Sequence, residues 1–322
     1  MKPKSPLNIA LVAGGTSAER EVSLKGAKQV KEALLRLGHR VREYDPRDDG
    51  LVRLVQDGQG LDCAFLVLHG TFGEDGRIQG LLDMMGLPYQ GAGVLGSALA
   101  MDKHIAKVMY ERNGIPTPRW YLVSRDQGLQ DPKGVALGLG GFPLMVKPRC
   151  EGSSIGMGVA RDMDSLVSLV ETALKWDEYA IIEEYIQGRE LSCGVLEGWG
   201  DWTLPPIEII PGEAHEFFDY NAKYTPGATK EICPAPVPTQ VEEMARRLAK
   251  KAHEALCLKD YSRTDMIMAP TGELYVIETN TIPGMTETSL LPQEAKVAGL
   301  GFDELIAFLV DRALAKSGMT PP

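Results

Sequence analysis

Residues 7–13 (LNIALVA) form a continuous apolar run that stops at Gly14-Gly15. An amphipathic pattern over residues 22–37, ended by Gly38, predicts a helix. Residues 40–44 and 63–68 read as further strands, and residues 77–85 as a helix before Gly86-Leu87-Pro88. Strand and helix alternating in this way predict a parallel α/β sheet with ligands at the carboxyl ends of its strands. The polar clusters Gly14–Glu19 and His69-Gly70 fall where those strands end.

The pattern then changes. A helix is expected over about residues 102–113, a strand over 120–123, a polar loop over 125–134 and a strand running into Lys147. A helix near 164–175 precedes the strand 180–185, and strands are expected near 190–197 and 203–210. Residues 211–239 carry no clear period, and helices are expected over about 240–256 and 302–315. The irregular stretch holds His215, Phe217, Phe218, Tyr220, Lys223 and Tyr224. That is too aromatic for a disordered linker, and it reads as a lid over a ligand.

Between these helices, residues 262–278 predict an antiparallel hairpin turning at Thr271-Gly272. Its register sets Asp265 opposite Glu278 and Arg263 opposite Asn280. All four project from one face, because residues two apart share a face. Two facing carboxylates repel. A divalent cation relieves that repulsion, and oxygen ligands including an amide suit Mg²⁺ or Mn²⁺. A surface hairpin whose acidic pair is held by Arg263 is the competing reading.

The segment KPRCEGSSIGMG, residues 147–158, ends a strand with a lysine and continues into glycines and serines. It lacks the Gly-Lys-Ser/Thr order of a P-loop. Its backbone can still approach an anion closely, although an ordinary hairpin loop fits the local composition as well. Lys103 and Lys147 beside an acidic metal patch fit a site for ATP phosphates. Glu183 at its strand end fits a ribose acceptor, and the backbone of Glu184 and Tyr185 an adenine reader. Backbone N–H groups near Ser289 and Leu290 fit a carboxylate site, with a simple helix cap as the local alternative.

Composition narrows the partners. The chain has 322 residues, 44% hydrophobic and 24% charged, with a formal net charge of -10. Two or three domains of a soluble globular protein are expected, without nucleic acid as a partner. No apolar run reaches the ~18 residues of a membrane span. The five cysteines Cys63, Cys150, Cys193, Cys233 and Cys257 are scattered, so neither a disulfide framework nor a zinc site is expected. Reduced thiols in a cytoplasm fit this usage.

The order GGTSAEREVS, LHGTFGEDGRIQG, MDK, VKPRCEGSSIGMG, EEYIQGRE, FFDYNAKYT, RTDM and IETNTIPGMTETSLLP closely resembles the D-alanine–D-alanine ligases of the ATP-grasp superfamily. The resemblance runs over residues 7–314. It implies a Rossmann-like domain over 1–97 followed by two ATP-grasp α+β subdomains, 98–187 and 188–322. Glu19 would hold the ammonium of the first D-alanine, with His69 nearby. Lys103 and Lys147 would contact ATP phosphates under a flap carrying Ser154, and Glu183, Glu184, Tyr185, Ile186 and Glu190 would line the adenosine site, Lys223 also reaching ATP. Asp265, Glu278 and Asn280 would bind two Mg²⁺ or Mn²⁺ ions. Arg263 and the backbone of Gly284 would stabilise an oxyanion, and Ser289, Leu290 and Lys223 would take the second carboxylate. Ser153, Tyr224 and Glu19 would tie flap, lid and first domain together.

The implied product is a dipeptide for the cell wall, made in the cytoplasm by a homodimer. Ligases of the same fold that accept D-lactate or D-serine, and a non-enzymatic nucleotide sensor, remain alternatives. Glu184 departs from the lysine that many family members carry beside the adenine.

Overall fold

The computed structural model describes residues 6–152, 155–212 and 229–316. Its first layer is a parallel sheet of β1 (Asn8–Ala13), β2 (Arg40–Tyr44) and β3 (Cys63–Val67) in the order β2-β1-β3. All of β3 and nearly all of β1 are buried, as continuous apolar runs between two helical layers require. Helix α1 (Arg20–Arg36) covers one face. Helices α2 (Gly50–Asp57) and α3 (Arg77–Met85) cover the other, with Leu54, Ile78 and Leu82 against Val12 and Leu66. At the edge, the Gln90 side chain replaces a strand, exchanging hydrogen bonds of 3.0 and 2.8 Å with the main chain of Leu66.

Helices α4 (Val94–Met101) and α5 (Lys103–Arg112) lead into a four-stranded antiparallel sheet. It comprises β4 (Trp120–Ser124), β5 (Leu144–Pro148), β6 (Gly158–Ala160) and β7 (Tyr179–Glu184) in the order β4-β7-β5-β6. Helices α6 (Pro132–Gly138) and α7 (Met163–Trp176) pack on one face through Ala136, Leu166, Val170 and Ala173.

A five-stranded antiparallel sheet completes the fold in the order β10-β9-β8-β11-β12. Its strands are β8 (Arg189–Leu196), β9 (Ile207–Pro211), β10 (Thr229–Ile232), β11 (Tyr261–Met268) and β12 (Leu274–Asn280). Helix α8 (Thr239–Ala255) covers one face through Ala245, Leu248 and Ala252. After α9 (Leu290–Val297), helix α10 (Phe302–Lys316) returns to the first sheet, where Leu305 and Leu309 join Ile9, Phe65 and Leu34 in one core. Among the described residues no helix is long and apolar enough to cross a membrane.

Most predicted elements occur within a residue or two of their expected bounds. Three short helices, α2, α4 and α6, have no counterpart in the pattern. Helix α6 starts inside the expected 125–134 loop, where Asp131 caps it by accepting from Gly134 N at 2.9 Å and Pro132 follows. Part of the expected irregular stretch is ordered as β10, which pairs with β9. The lid residues His215, Phe217, Phe218, Tyr220, Lys223 and Tyr224 lie outside the described residues.

The hairpin of β11 and β12 has the predicted register at its open end, with Asp265 against Glu278 and Arg263 against Asn280. A bulge intervenes after that. Met266 pairs with Val276, so Ile277 has no partner of its own. The extra residue changes the phase of the strand. Leu274, Val276 and Thr279 therefore all point toward the α8 side, while Ile277 and Glu278 both reach the opposite face.

His253 on α8 is buried against β11, where its Nδ1 meets Ser262 Oγ at 2.8 Å. Burial pushes its imidazole down to about 4. An unfolded chain takes up the proton near pH 6.5, while the folded one refuses it until about pH 4. Stability should therefore fall as pH drops through this window, by about 3 kcal/mol from this group. His253→Gln should flatten the stability–pH profile between pH 7 and 4.5, measured by denaturant titration. A profile as steep as the parent's would assign the acid sensitivity elsewhere.

Candidate active site

Between the four- and five-stranded sheets lies a cavity of about 330 Å³. Strand alternation builds one wall. Leu144, Val146, Ala180 and Ile182 enter the core under α7, so Met145, Lys147 and Glu183 face the cavity. Glu190, Ile209, Asp265, Ile267, Ile277 and Glu278 form the opposite wall. The bulge in β12 is what lets apolar Ile277 and acidic Glu278 serve the same cavity.

Glu183 is only 2% exposed. Lys147 Nζ lies 2.8 Å from its Oε2 and Lys107 Nζ 3.1 Å from its Oε1. Burial opposes the charge on Glu183, but the two lysines outweigh it and hold the carboxyl below its usual range. This corrects the expectation of a ribose acceptor, because the carboxylate is fixed deep in the wall by two cations. Lys107 Nζ is close enough to Oε1 for strong ionic attraction. Oε1 has no hydrogen-bond donor among the described residues. Sequence reasoning missed Lys107, although it lies one helical turn beyond Lys103.

A second, wider cavity of about 720 Å³ opens between the carboxyl end of the first sheet and the β11–β12 hairpin. Glu19, His69, Arg263, Asn280, Gly284, Ser289 and Leu290 all line it. Lys103, Glu151, Gly152 and Glu278 line both cavities and so mark where they meet. Lys103 Nζ donates to Glu151 O at 2.5 Å. Glu19 is the N-cap of α1 but makes no side-chain cap, leaving its carboxylate to reach the flap loop. A Cβ on Gly152 would fall 2.8 Å from Glu19 Oε2, so any other residue there would make the Glu19 carboxylate shift.

Around this cavity, burial pushes the His69 imidazole down against the opposing pull of Glu19. Glu74, also missed in the sequence, accepts from Gly70 N at 2.9 Å and Ile282 N at 3.0 Å. It thereby stitches the loop after β3 to the loop after β12. Burial and the charge of Glu19 push its carboxyl up to about 7. Ser289 is the N-cap of α9 without capping it. Its hydroxyl instead accepts from Thr286 N at 3.1 Å, so the simple-cap alternative does not hold.

The hairpin face carries the densest chemistry. Arg263 donates to both oxygens of Asp265, at 2.9 and 2.8 Å. Ser192 Oγ, a third residue missed by sequence reasoning, reaches Asp265 Oδ1 at 2.6 Å, and Asn280 Nδ2 reaches Oδ2 at 3.0 Å. Burial opposes the Arg263 charge, but Asp265 outweighs it and raises the guanidinium further. No group of three His, Cys, Asp or Glu side chains converges among the described residues. The donor set is instead two carboxylates and an amide. Asn280 spends its N–H₂ on Asp265, which leaves its carbonyl oxygen available, and a hard oxygen-binding cation fits this set.

Ser153, Ser154, Lys223 and Tyr224 lie outside the described residues. Tyr185 and Ile186 line the first cavity. Glu184 lines the first cavity as well. Its N–H donates to Arg119 O at 3.0 Å and is spent in the sheet, and its carboxylate accepts from Arg119 N at 3.0 Å and Nε at 2.7 Å.

The family profile described as D-ala D-ala ligase C-terminus matches residues 109–311, and that described as D-ala D-ala ligase N-terminus matches residues 50–92. The D-alanine–D-alanine ligase of Syntrophobacter fumaroxidans is 51% identical over 96% of this chain and 98% of its own. That of Desulfotalea psychrophila is 49% identical over 97% and 96%. The chain belongs to the D-alanine–D-alanine ligase family. The fold agrees. A crystal structure of the Bacillus anthracis family member superimposes with a TM-score of 0.85 at 35% identity, covering 97% of this chain and 99% of that one. Another, complexed with ATP, gives 0.84 at 32% identity and the same coverage. The architecture is thus an α/β ATP-grasp fold behind a parallel-sheet domain, and family membership carries with it ATP and a divalent metal ion.

Behind the acidic face, Tyr110 Oη meets Thr279 Oγ1 at 2.8 Å, which meets Thr264 Oγ1 at 3.1 Å, all three residues buried. Tyr110→Phe should cost about 1–2 kcal/mol by breaking this chain. Equilibrium unfolding measures it. An unchanged midpoint would mean that the two threonines satisfy each other alone.

Proposed function

We propose that this chain uses ATP to join two D-alanine molecules, giving D-alanyl-D-alanine, ADP and phosphate. The observation that carries this reading is the junction at which two cavities share Lys103, Glu151, Gly152 and Glu278. A nucleotide in the first cavity and an amino acid in the second would meet there.

The adenine ring fits between Met145, Ile209, Ile267 and Ile277. Glu190 serves the ribose. Lys103 and Lys147 face the phosphates, and Ser153 and Ser154 on the flap motif cover them. Asp265, Glu278 and Asn280 hold the divalent ions, two Mg²⁺ or Mn²⁺, which when bound neutralise charge on the transferring phosphoryl group. Glu19, beside His69, holds the ammonium of the first D-alanine and so aims its carboxylate at the junction.

Amide formation in water needs an activated carboxylate. Transfer of the γ-phosphoryl group supplies one as an acyl phosphate, and the free amine of the second D-alanine then attacks it. Arg263 and the Gly284 N–H stabilise the tetrahedral oxyanion, and phosphate leaves. Ser289, Leu290 and Lys223 take the second carboxylate. Ser153, Tyr224 and Glu19 close flap and lid over the intermediate, because an acyl phosphate must be kept from water. The same reading assigns residues 1–97, 98–187 and 188–322 to the three domains. It places a homodimer in the cytoplasm, supplying cell-wall precursor.

Incubation with Mg²⁺, ATP and D-alanine should yield ADP, phosphate and the dipeptide in equal amounts, read by mass spectrometry. Comparable product from L-alanine, or none from D-alanine, would overturn the proposal. Glu278→Ala should lower turnover by ~10²–10³ through loss of a strong electrostatic contact, with unfolding unchanged. Near-normal turnover would remove Glu278 from the metal site.

A further inference from the structure

The most unusual buried chemistry outside the roles above is Lys107. It is 1% exposed and sits behind the wall of the nucleotide cavity. Its Nζ lies 3.1 Å from Glu183 Oε1, 2.8 Å from Thr117 Oγ1 and 5.2 Å from the centre of the Trp120 ring. Lys147 holds the other oxygen of the same carboxylate at 2.8 Å. The side chains of all three charged residues are at most 6% exposed. Two ammonium groups thus share one carboxylate in a dry site, leaving one positive charge in excess. Desolvation makes such an excess costly until an anion arrives.

The two lysines differ in access. Lys147 lines the cavity, while Lys107 touches Glu183 from behind. Of these two, an entering phosphate can therefore draw on Lys147 alone. If Glu183 had no second partner, that step would strand a buried carboxylate, and the phosphate would have to compete with it for Lys147.

We propose that Lys107 is a positioning residue for the nucleotide: it keeps Glu183 charge-balanced and in place, which frees Lys147 to bind phosphate. The inference rests on the first cavity being the ATP site. Glu183 is then a carboxylate shared by two lysines, with Lys107 setting how cheaply Lys147 is released.

The test is calorimetric binding of two probes, a non-hydrolysable ATP analogue with Mg²⁺ and adenosine, to the full-length protein and its variants. Lys107→Met should weaken the triphosphate by about 10- to 100-fold, the range for a buried charged group losing its partner. Adenosine should bind as before, because without phosphate Lys147 stays on Glu183. In steady state, KM for ATP should rise while kcat at saturating ATP is kept. Adding Glu183→Gln should restore triphosphate affinity to that of Glu183→Gln alone, since no carboxylate then competes for Lys147.

Equal weakening of both probes would reduce Lys107 to a packing role and overturn the proposal. Undiminished triphosphate binding, or no restoration in the double variant, would overturn it too. Thermal unfolding identifies a variant that fails to fold, and recovery of triphosphate binding in the double variant remains decisive in that case. A parent protein that binds neither probe would remove the ATP reading itself, and this inference with it.

Discussion

Two carboxylates set face to face at the open end of a hairpin govern much of what surrounds them. Asp265 and Glu278 occupy opposed positions in adjacent strands, where like charges destabilise a sheet. The fold accepts this by saturating one of them. Arg263, Ser192 and Asn280 all bond Asp265, from its own strand and from the strands on either side. Glu278 is left facing both cavities. Asp265 is anchored by protein while still lining the first cavity, and Glu278 lines both, an arrangement suited to a site that must gather cations and phosphate together.

The same economy of charge recurs at the other wall. Glu183 is buried between two lysines from different elements, one on α5 and one on β5. Glu74 is buried too, but is satisfied by backbone N–H groups from two separate layers of the fold. Each buried carboxylate therefore ties together segments far apart in the chain. Such groups are costly unless paired, so their partners fix the relative position of the sheets as well as the chemistry.

Much of the site was legible because its signals are local. Alternation along a strand put Arg263 and Asp265 on one face, and a turn between two apolar runs put Glu278 and Asn280 across from them. The lysines at a helix start and a strand end carried similar short-range information. Glu183 was located correctly but given the wrong environment, since nothing near it in the chain announces Lys107. Glu184 was read for its backbone alone, and the pairing of its side chain with Arg119 arises from strands β4 and β7 meeting.

The sequence by itself determined the order of strands and helices, the parallel first layer, the face that carries the acidic pair and the family. These depend on periodicity, turn chemistry and long motifs, which act within a few tens of residues. Only the tertiary structure decided that helix α10 closes the first sheet, that a bulge turns both Ile277 and Glu278 toward the cavity, and that Lys107 and Lys147 share one carboxylate. The bulge trades one ladder position for a change of phase, a choice set by what packs on each face of the hairpin. The return of α10 and the shared carboxylate join residues far apart in the chain. Their free energy comes from burial and desolvation in the assembled core, to which no local pattern responds.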